Sequence, residues 1–272
     1  MATRFLTRNY ADTSSFTTSN YTFPSNAMFD ELPIENVTKL SKSLVARSRD
    51  ATPLTIYGSL VDVQTINSLV ICGHNFSIGT SVAMDLYADD SFTPANWLYG
   101  ESFTIDQYSE GQDIYDGISY LPFWFTDIGI KAFKITIFNS ATYPTNYFQI
   151  YRLCVGNAIT TRVGAALNNS ITYADKSLQY RTESGTLRTD NLKAHKRIEF
   201  DLTNLVESER PDLVRTLADV GKQKEFFISV FDSTCNSTKD YDYRGLVKLI
   251  RVPRYVEYAN NIYSSKILVE EV

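Results

Sequence analysis

Short alternations of apolar and polar residues dominate the chain from about residue 35 onward. In Ala132–Phe138, Phe133, Ile135 and Ile137 fall on one face, and Lys134 and Thr136 fall on the other. A repeat of two is what a strand with one buried face requires. PLTIYGSL, INSLVICG, SVAMDLYA, ESFTI and YFQIYRLCVG are similar short runs, bounded by Gly, Pro, Asn, Asp or Ser. Together they predict a mainly β fold, an antiparallel β-sandwich spanning residues 35–160. The aromatic run SYLPFWFTD is expected to cap it.

The first 34 residues lack this pattern. TSSFTTSNYTF alternates aromatic and polar residues and reads as an extended arm, suited to contacts with neighbouring subunits. A small, polar stretch at 157–172 marks a boundary, and a smaller β-rich module is expected over 161–272. LQYRTES and TLRTDN flank Ser184–Gly185 as a hairpin, and KRIEFDL, EFFISVFD, YRGLVKLIRV and SSKILVEEV read as strands. One helix is expected near 208–220. Ser208 is its candidate N-cap, Pro211 lies in its first turn, Leu213, Val214, Leu217 and Val220 form its apolar face, and Gly221 stops it.

Composition narrows the function. Aromatics make up 13% of the 272 residues, with 18 Tyr and 16 Phe, which favours strands. A formal net charge of −5 argues against non-specific nucleic-acid binding, which needs a basic stripe to neutralise phosphates. No signal peptide or membrane-spanning run is read from the sequence, so no membrane insertion is expected. The three cysteines, Cys72, Cys154 and Cys235, show no CxxC spacing. Cys72 and Cys154 sit in apolar runs and read as buried free thiols.

Candidate chemistry is sparse. There is no GxSxG, P-loop or dinucleotide fingerprint, and two histidines cannot make a three-histidine metal site. Asp106, Glu110, Asp113 and Asp116 cluster without calcium-loop spacing and read as a solvated acidic loop. Asp89 and Asp90 suit a turn after SVAMDLYA, and His195 a solvated basic strand edge. No enzyme, cofactor or metal site is therefore expected. Trp97, Tyr99, Tyr115 and Trp124 are candidate glycan or interface contacts, because aromatic platforms stack on sugar rings and also fill interfaces.

Two stretches, NSLVICGHNFSIGTSVAMDLYADDSF and KAFKITIFNSATYPTNYFQIYRLCVGNA, carry a resemblance. In this order they resemble a sandwich domain of tailed-bacteriophage tail proteins, similar to discoidin or galactose-binding domains. In that family a Gly-His-Asn turn joins two core strands, and an I-x-R-L-x-x-G strand ends the domain. The matching residues here are Gly73, His74 and Asn75, then Ile150, Arg152, Leu153 and Gly156. Gly73 and Asn75 tolerate a positive φ, and His74 is expected to tie down loop backbone rather than do chemistry. The resemblance implies a structural component of the virion tail, at the tail tip or baseplate. Multiple symmetric copies, assembled in the host cytoplasm, would contact other phage tail proteins. The alternative is a receptor-contact module that binds host surface glycan.

Overall fold

The computed structural model describes residues 2–20, 26–41, 43–77, 79–105, 120–138, 147–166, 169–175, 177–190, 194–231, 240 and 242–272. The strands in chain order are β1 (Arg4–Leu6), β2 (Ser15–Ser19), β3 (Ala46–Arg47), β4 (Leu54–His74), β5 (Ser81–Tyr87) and β6 (Trp97–Thr104). They continue with β7 (Tyr120–Phe138), β8 (Gln149–Gly156), β9 (Ile159–Thr160), β10 (Ser170–Ala174), β11 (Leu178–Arg181) and β12 (Leu187–Asp190). The last are β13 (His195–Val206), β14 (Phe226–Ser229), β15 (Arg244–Leu249), β16 (Tyr255–Ala259) and β17 (Ile262–Glu271). One α-helix, α1 (Arg210–Val220), is present among the described residues. No helix among them is long and apolar enough to cross a membrane. The chain divides into two compact units, at Ala158/Ile159, with Met1–Thr7 belonging to the second.

The first unit is a seven-stranded antiparallel sheet in the order β3-β8-β4-β7-β5-β6, with β2 also paired to β4. Its frame is two long strands, β4 of 21 residues and β7 of 19. The amino-terminal part of β4 pairs with β2 and with the end of β7, from Leu54↔Ile137 to Ser59↔Ala132. Its remainder pairs with β8 and the start of β7, as in Ile71↔Leu153 and Ile71↔Leu121. Between Ser59 and Gln64 the register slips. A bulge of this kind bends a strand sharply, so one sheet turns over a common core. Leu54 and Ile56 from one side of the bulge, and Ile66, Leu69 and Ile71 from the other, are buried in the same cluster. The aromatic run SYLPFWFTD lies inside β7, with Tyr120, Leu121 and Phe123 buried there.

The stretch expected to be an arm is instead built into the fold. β1 lies between β14 and β9, with Leu6↔Phe227 and Phe5↔Ile159, and buries Phe5 and Leu6. β2 pairs with β4, burying Phe16. The aromatic–polar alternation of TSSFTTSN is a strand's one-sided burial, and its partner was already in this chain. Residues 21–25 lie outside the described set.

Arg152 fixes the turn that precedes β2. Its guanidinium is only 2% exposed and pairs with Asp12, 3.0 Å from Oδ1 and 3.1 Å from Oδ2. It also donates to the Lys39 carbonyl at 3.3 Å. Beside it, the Asn9 amide donates to the Leu153 carbonyl, and Asn9 Oδ1 accepts from the Val155 N–H. Burial pushes the Asp12 carboxyl above its ordinary value, more than the Arg152 charge pulls it down.

The second unit is an eight-stranded antiparallel sheet in the order β10-β13-β17-β15-β14-β1-β9, with β16 added to β17, and a separate β11–β12 hairpin. Helix α1 starts later than its expected cap: Glu209, not Ser208, is the N-cap. Leu213, Leu217 and Val220 are buried and Val214 is only partly so. Gly221, at φ +54, ends the helix with its N–H bonded to the Leu217 carbonyl.

Removing the partner of a buried charge strands that charge away from water, which costs about 3–5 kcal/mol. Asp12→Ala is therefore expected to lower unfolding stability by about 3 kcal/mol in urea denaturation. A loss under about 1 kcal/mol, the range of an exposed pair, would refute this reading of Arg152.

Candidate functional site

The candidate site lies on the outer face of β5, β6 and β7. On β5, Val82, Met84 and Leu86 are buried, which turns Asp85 and Tyr87 to the opposite face. On β7 the same alternation turns Lys134 outward, and the register Asp85↔Lys134 sets the two side by side. Their ion pair is 2.8 Å long and half-buried. Burial pulls the Lys134 ammonium down, but the hydrogen bonds and charges of Asp85 and Tyr87 outweigh it and hold its pKa above the ordinary value.

A bulge supplies the aromatic wall. β5 and β6 run in register from Ser81↔Thr104 to Leu86↔Tyr99, then slip so that Tyr87 faces Trp97. Tyr99 keeps the core-facing direction and packs near Phe125 at 5.5 Å. The slip aims Trp97 to the outer face, where its Nε1–H donates to Asp85 Oδ1 at 3.1 Å and the residue stays 50% exposed. Gly100 makes the approach feasible: a Cβ there would lie 2.7 Å from Asp85 Oδ1 and 3.1 Å from the Trp97 ring.

The loop from Ala88 to Asn96 closes the cleft. Asp89 Oδ1 accepts from the Ser91 hydroxyl and N–H, and its Oδ2 accepts from the Asn96 amide. Phe92 is held at φ +54, a strained value for a non-glycine residue, with its ring 4.8 Å from Tyr57 and 5.4 Å from Tyr87. The resulting cavity of about 330 Å³ is lined by Asp85, Tyr87, Phe92, Pro94, Trp97 and Lys134. It combines an indole, one carboxylate with spare acceptor capacity and an ammonium with one spare donor.

The residues singled out in the sequence are dispersed. Of the three described aromatic candidates only Trp97 lines this cleft; Tyr99 faces the core, and Trp124 is half-buried in β7 opposite Ser68. Tyr115 lies outside the described residues, as do Cys235 and the acidic loop from Asp106 to Asp116. Gly73 takes φ +64, and a Cβ there would lie 2.7 Å from the Tyr151 Cβ. Asn75 does not take a positive φ; its amide instead clamps the start of β8, donating to Tyr147 O and accepting from Gln149 N. His74 ends β4, accepts the Phe76 N–H on Nδ1 and stacks on the Phe76 ring at 4.4 Å. Arg152 and Leu153 hold Asp12 and Asn9, and the Gly156 carbonyl accepts from the Ser68 hydroxyl. Cys72 and Cys154 are buried in β4 and β8, and His195 opens β13. Among the described residues no three His, Cys, Asp or Glu side chains converge as metal ligands.

Asp85, Tyr87, Phe92 and Lys134 were not singled out. The signal for Asp85, Tyr87 and Lys134 was the outward face of two alternating strands, but only the β5–β7 register joins the two, and Phe92 lies in the loop after β5.

No protein-family model matches the chain, and no curated protein matches it. Among solved structures it is similar to a chitosan-binding module of a chitosanase/glucanase from Paenibacillus sp. IK-5, at 19% identity and TM-score 0.40, covering 54% of this chain and 98% of that one. A module from Clostridium perfringens in complex with GalNAc-β-1,3-galactose matches at 12% identity and TM-score 0.40, covering 55% and 99%. A Streptococcus pneumoniae fucose binding module matches at 11% identity and TM-score 0.39, covering 55% and 95%. Likenesses this distant leave the functional reading to the cleft itself.

The hydroxyl and N–H of Ser91 hold the Asp89 carboxyl below its ordinary value of 3.8. A lowered pKa means that these bonds favour the folded loop above the ordinary value, and that the gain is lost as pH falls through the lowered one. In an NMR acid titration the Ser91 amide signal is expected to shift at a lower pH than an ordinary aspartate would impose. Asp89→Ala is expected to shift the Trp97 indole signal already at neutral pH. An unchanged spectrum in the variant would separate the loop from the cleft.

Proposed function

We propose that the chain is a non-catalytic glycan-binding module whose site is the Trp97–Asp85–Lys134 cleft. The carrying observation is an exposed indole pinned edge-on by a carboxylate that also holds an ammonium. An indole face receives the C–H side of a sugar ring, and polar groups at its edge take the hydroxyls. Trp97 is pre-oriented by its bond to Asp85, so little side-chain freedom is lost on binding. Asp85 can accept one sugar hydroxyl and Lys134 can donate to another without breaking their own pair. A partly exposed ion pair contributes under about 1 kcal/mol to stability, so fold maintenance is a weak reason for placing it beside an exposed aromatic.

Glycoside hydrolysis normally needs two carboxyl groups at a set separation. Among the described residues lining the cleft, Asp85 is the one carboxylate. This supports binding over turnover.

A structural place in a tailed-phage virion is the second reading. It is supported by the order of the Asn67–Phe92 and Lys131–Ala158 motifs. It is also supported by the exposed Leu178, Tyr180 and Leu187 on the β11–β12 hairpin, which suit contact with other subunits. Glycan binding and a virion address are compatible, since a receptor-contact module is both.

Isothermal titration against chitosan oligomers, galactose, GalNAc and fucose tests the main reading. Wild-type protein is expected to bind at least one of them. Trp97→Ala should weaken binding at least about tenfold, in line with the loss of an aromatic anchor. Asp85→Asn should weaken it less, because the amide keeps the shape but not the charge. Absence of binding at millimolar sugar, or binding unchanged by Trp97→Ala, would overturn it.

A further inference from the structure

The second unit carries a cavity of its own, of about 430 Å³, on the outer face of β13 and β17 beside the segment Arg251–Val256. Asp201, Thr203, Arg251, Arg254, Ser264 and Lys266 line it. We propose that this cavity binds an oxyanion of the sulfate- or phosphate-ester class.

The charge is local, not a by-product of composition. The chain as a whole has a formal net charge of −5, yet three cations and one carboxylate line this cavity. Register explains how they meet. Asp201↔Lys266 pairs β13 with β17, and Val256↔Ser264 pairs β16 with β17, which brings the two edges of the cavity onto one sheet face. Lys266 is tied to Glu199 by an ion pair. Arg251 and Arg254 make no ion pair among the described residues, and both are exposed. The Arg251 charge also acts against the Lys266 ammonium, so the cations are close enough to repel one another. A doubly charged oxyanion placed between them would relieve that repulsion.

The donor set fits this chemistry. A guanidinium presents two parallel N–H groups that match two oxygens of a sulfate or phosphate, and a lysine adds a point charge. The Thr203 and Ser264 hydroxyls add neutral donors to the lining. Asp201 works against an anion and sets the expected direction of its own variant. The cavity lies in the unit formed by Ile159–Ser233, Tyr243–Val272 and Met1–Thr7, whereas the Trp97 cleft lies in the other unit, so each proposal can fail alone.

Titration calorimetry with two probes, inorganic pyrophosphate and a sulfated disaccharide, tests the assignment on the full chain. Both are expected to bind in competition. Sulfated sugar binding at least about tenfold tighter would assign the ligand to acidic glycans, and the reverse would assign it to phosphate esters. The double variant Arg251→Gln/Arg254→Gln should weaken binding at least about tenfold, since it removes two charge-assisted bidentate partners. Asp201→Asn should tighten binding. Arg188→Gln, an exposed cation on β12 away from the cavity lining, should change nothing. Absence of binding at millimolar probe, equal weakening by Arg188→Gln, or weakening by Asp201→Asn would overturn the proposal. Circular dichroism of each variant separates lost binding from lost folding.

Discussion

A guanidinium taken out of water organises the first unit. Arg152 sits in β8, between β3 and β4, and is buried, and an isolated charge there would cost several kcal/mol. The answer is Asp12, which reaches it only because the chain from Asn9 to Thr13 forms a single 3-10 turn capped by Asn9 itself. Asn9 then bonds both Leu153 and Val155, so the turn is clamped to β8 at Arg152, Leu153 and Val155. With the turn fixed, the residues after it are delivered to the edge of β4, where β2 pairs. The buried charge thus specifies where the amino-terminal segment must run.

Local patterns were legible and long-range ones were not. The alternations in SVAMDLYA and Ala132–Phe138 describe β5 and β7 and even which face holds Asp85 and Lys134. The hairpin around Ser184–Gly185 was readable because Gly185 takes φ +81, a value glycine adopts freely. The helix face was readable from its spacing, although its cap was misplaced by one residue. The register Asp85↔Lys134 was not readable, because nothing within a strand says which other strand it will meet. Nor was the slip at Leu98 that turns Trp97 outward while Tyr99 stays inward. Two residues apart on a regular strand, they would share a face. The amino-terminal stretch misled for a related reason: an edge-type alternation looks the same whether its partner is another subunit or β4.

The aromatic richness of the chain has a divided use. Phe5, Phe133, Phe148, Phe200, Phe226 and Phe227 are among its largest buried side chains. Tyr57, Tyr87 and Phe92 form a smaller cluster outside that core, held by a strained Phe92 and a hydrogen-bonded Asp89 loop. Strain at a surface loop costs of order 1–3 kcal/mol and survives only where its surroundings over-determine it. Here the surroundings are also the walls of the cleft. Gly100 serves the same end from below, by leaving out the one atom that would separate Trp97 from Asp85.

The position of β1 has a consequence for synthesis. Arg4–Leu6 is an interior strand of the second sheet, yet its main partner, β14, lies more than two hundred residues later in the chain, as Leu6↔Phe227 records. Domains fold as they emerge from the ribosome, the earlier before the later. Most of the first unit is complete once Gly156 has been made, while the apolar Phe5 and Leu6 are already outside and have nowhere to go. They wait as an exposed hydrophobic segment until Phe226–Ser229 arrives. The second sheet therefore closes around a strand made before the whole of the first unit.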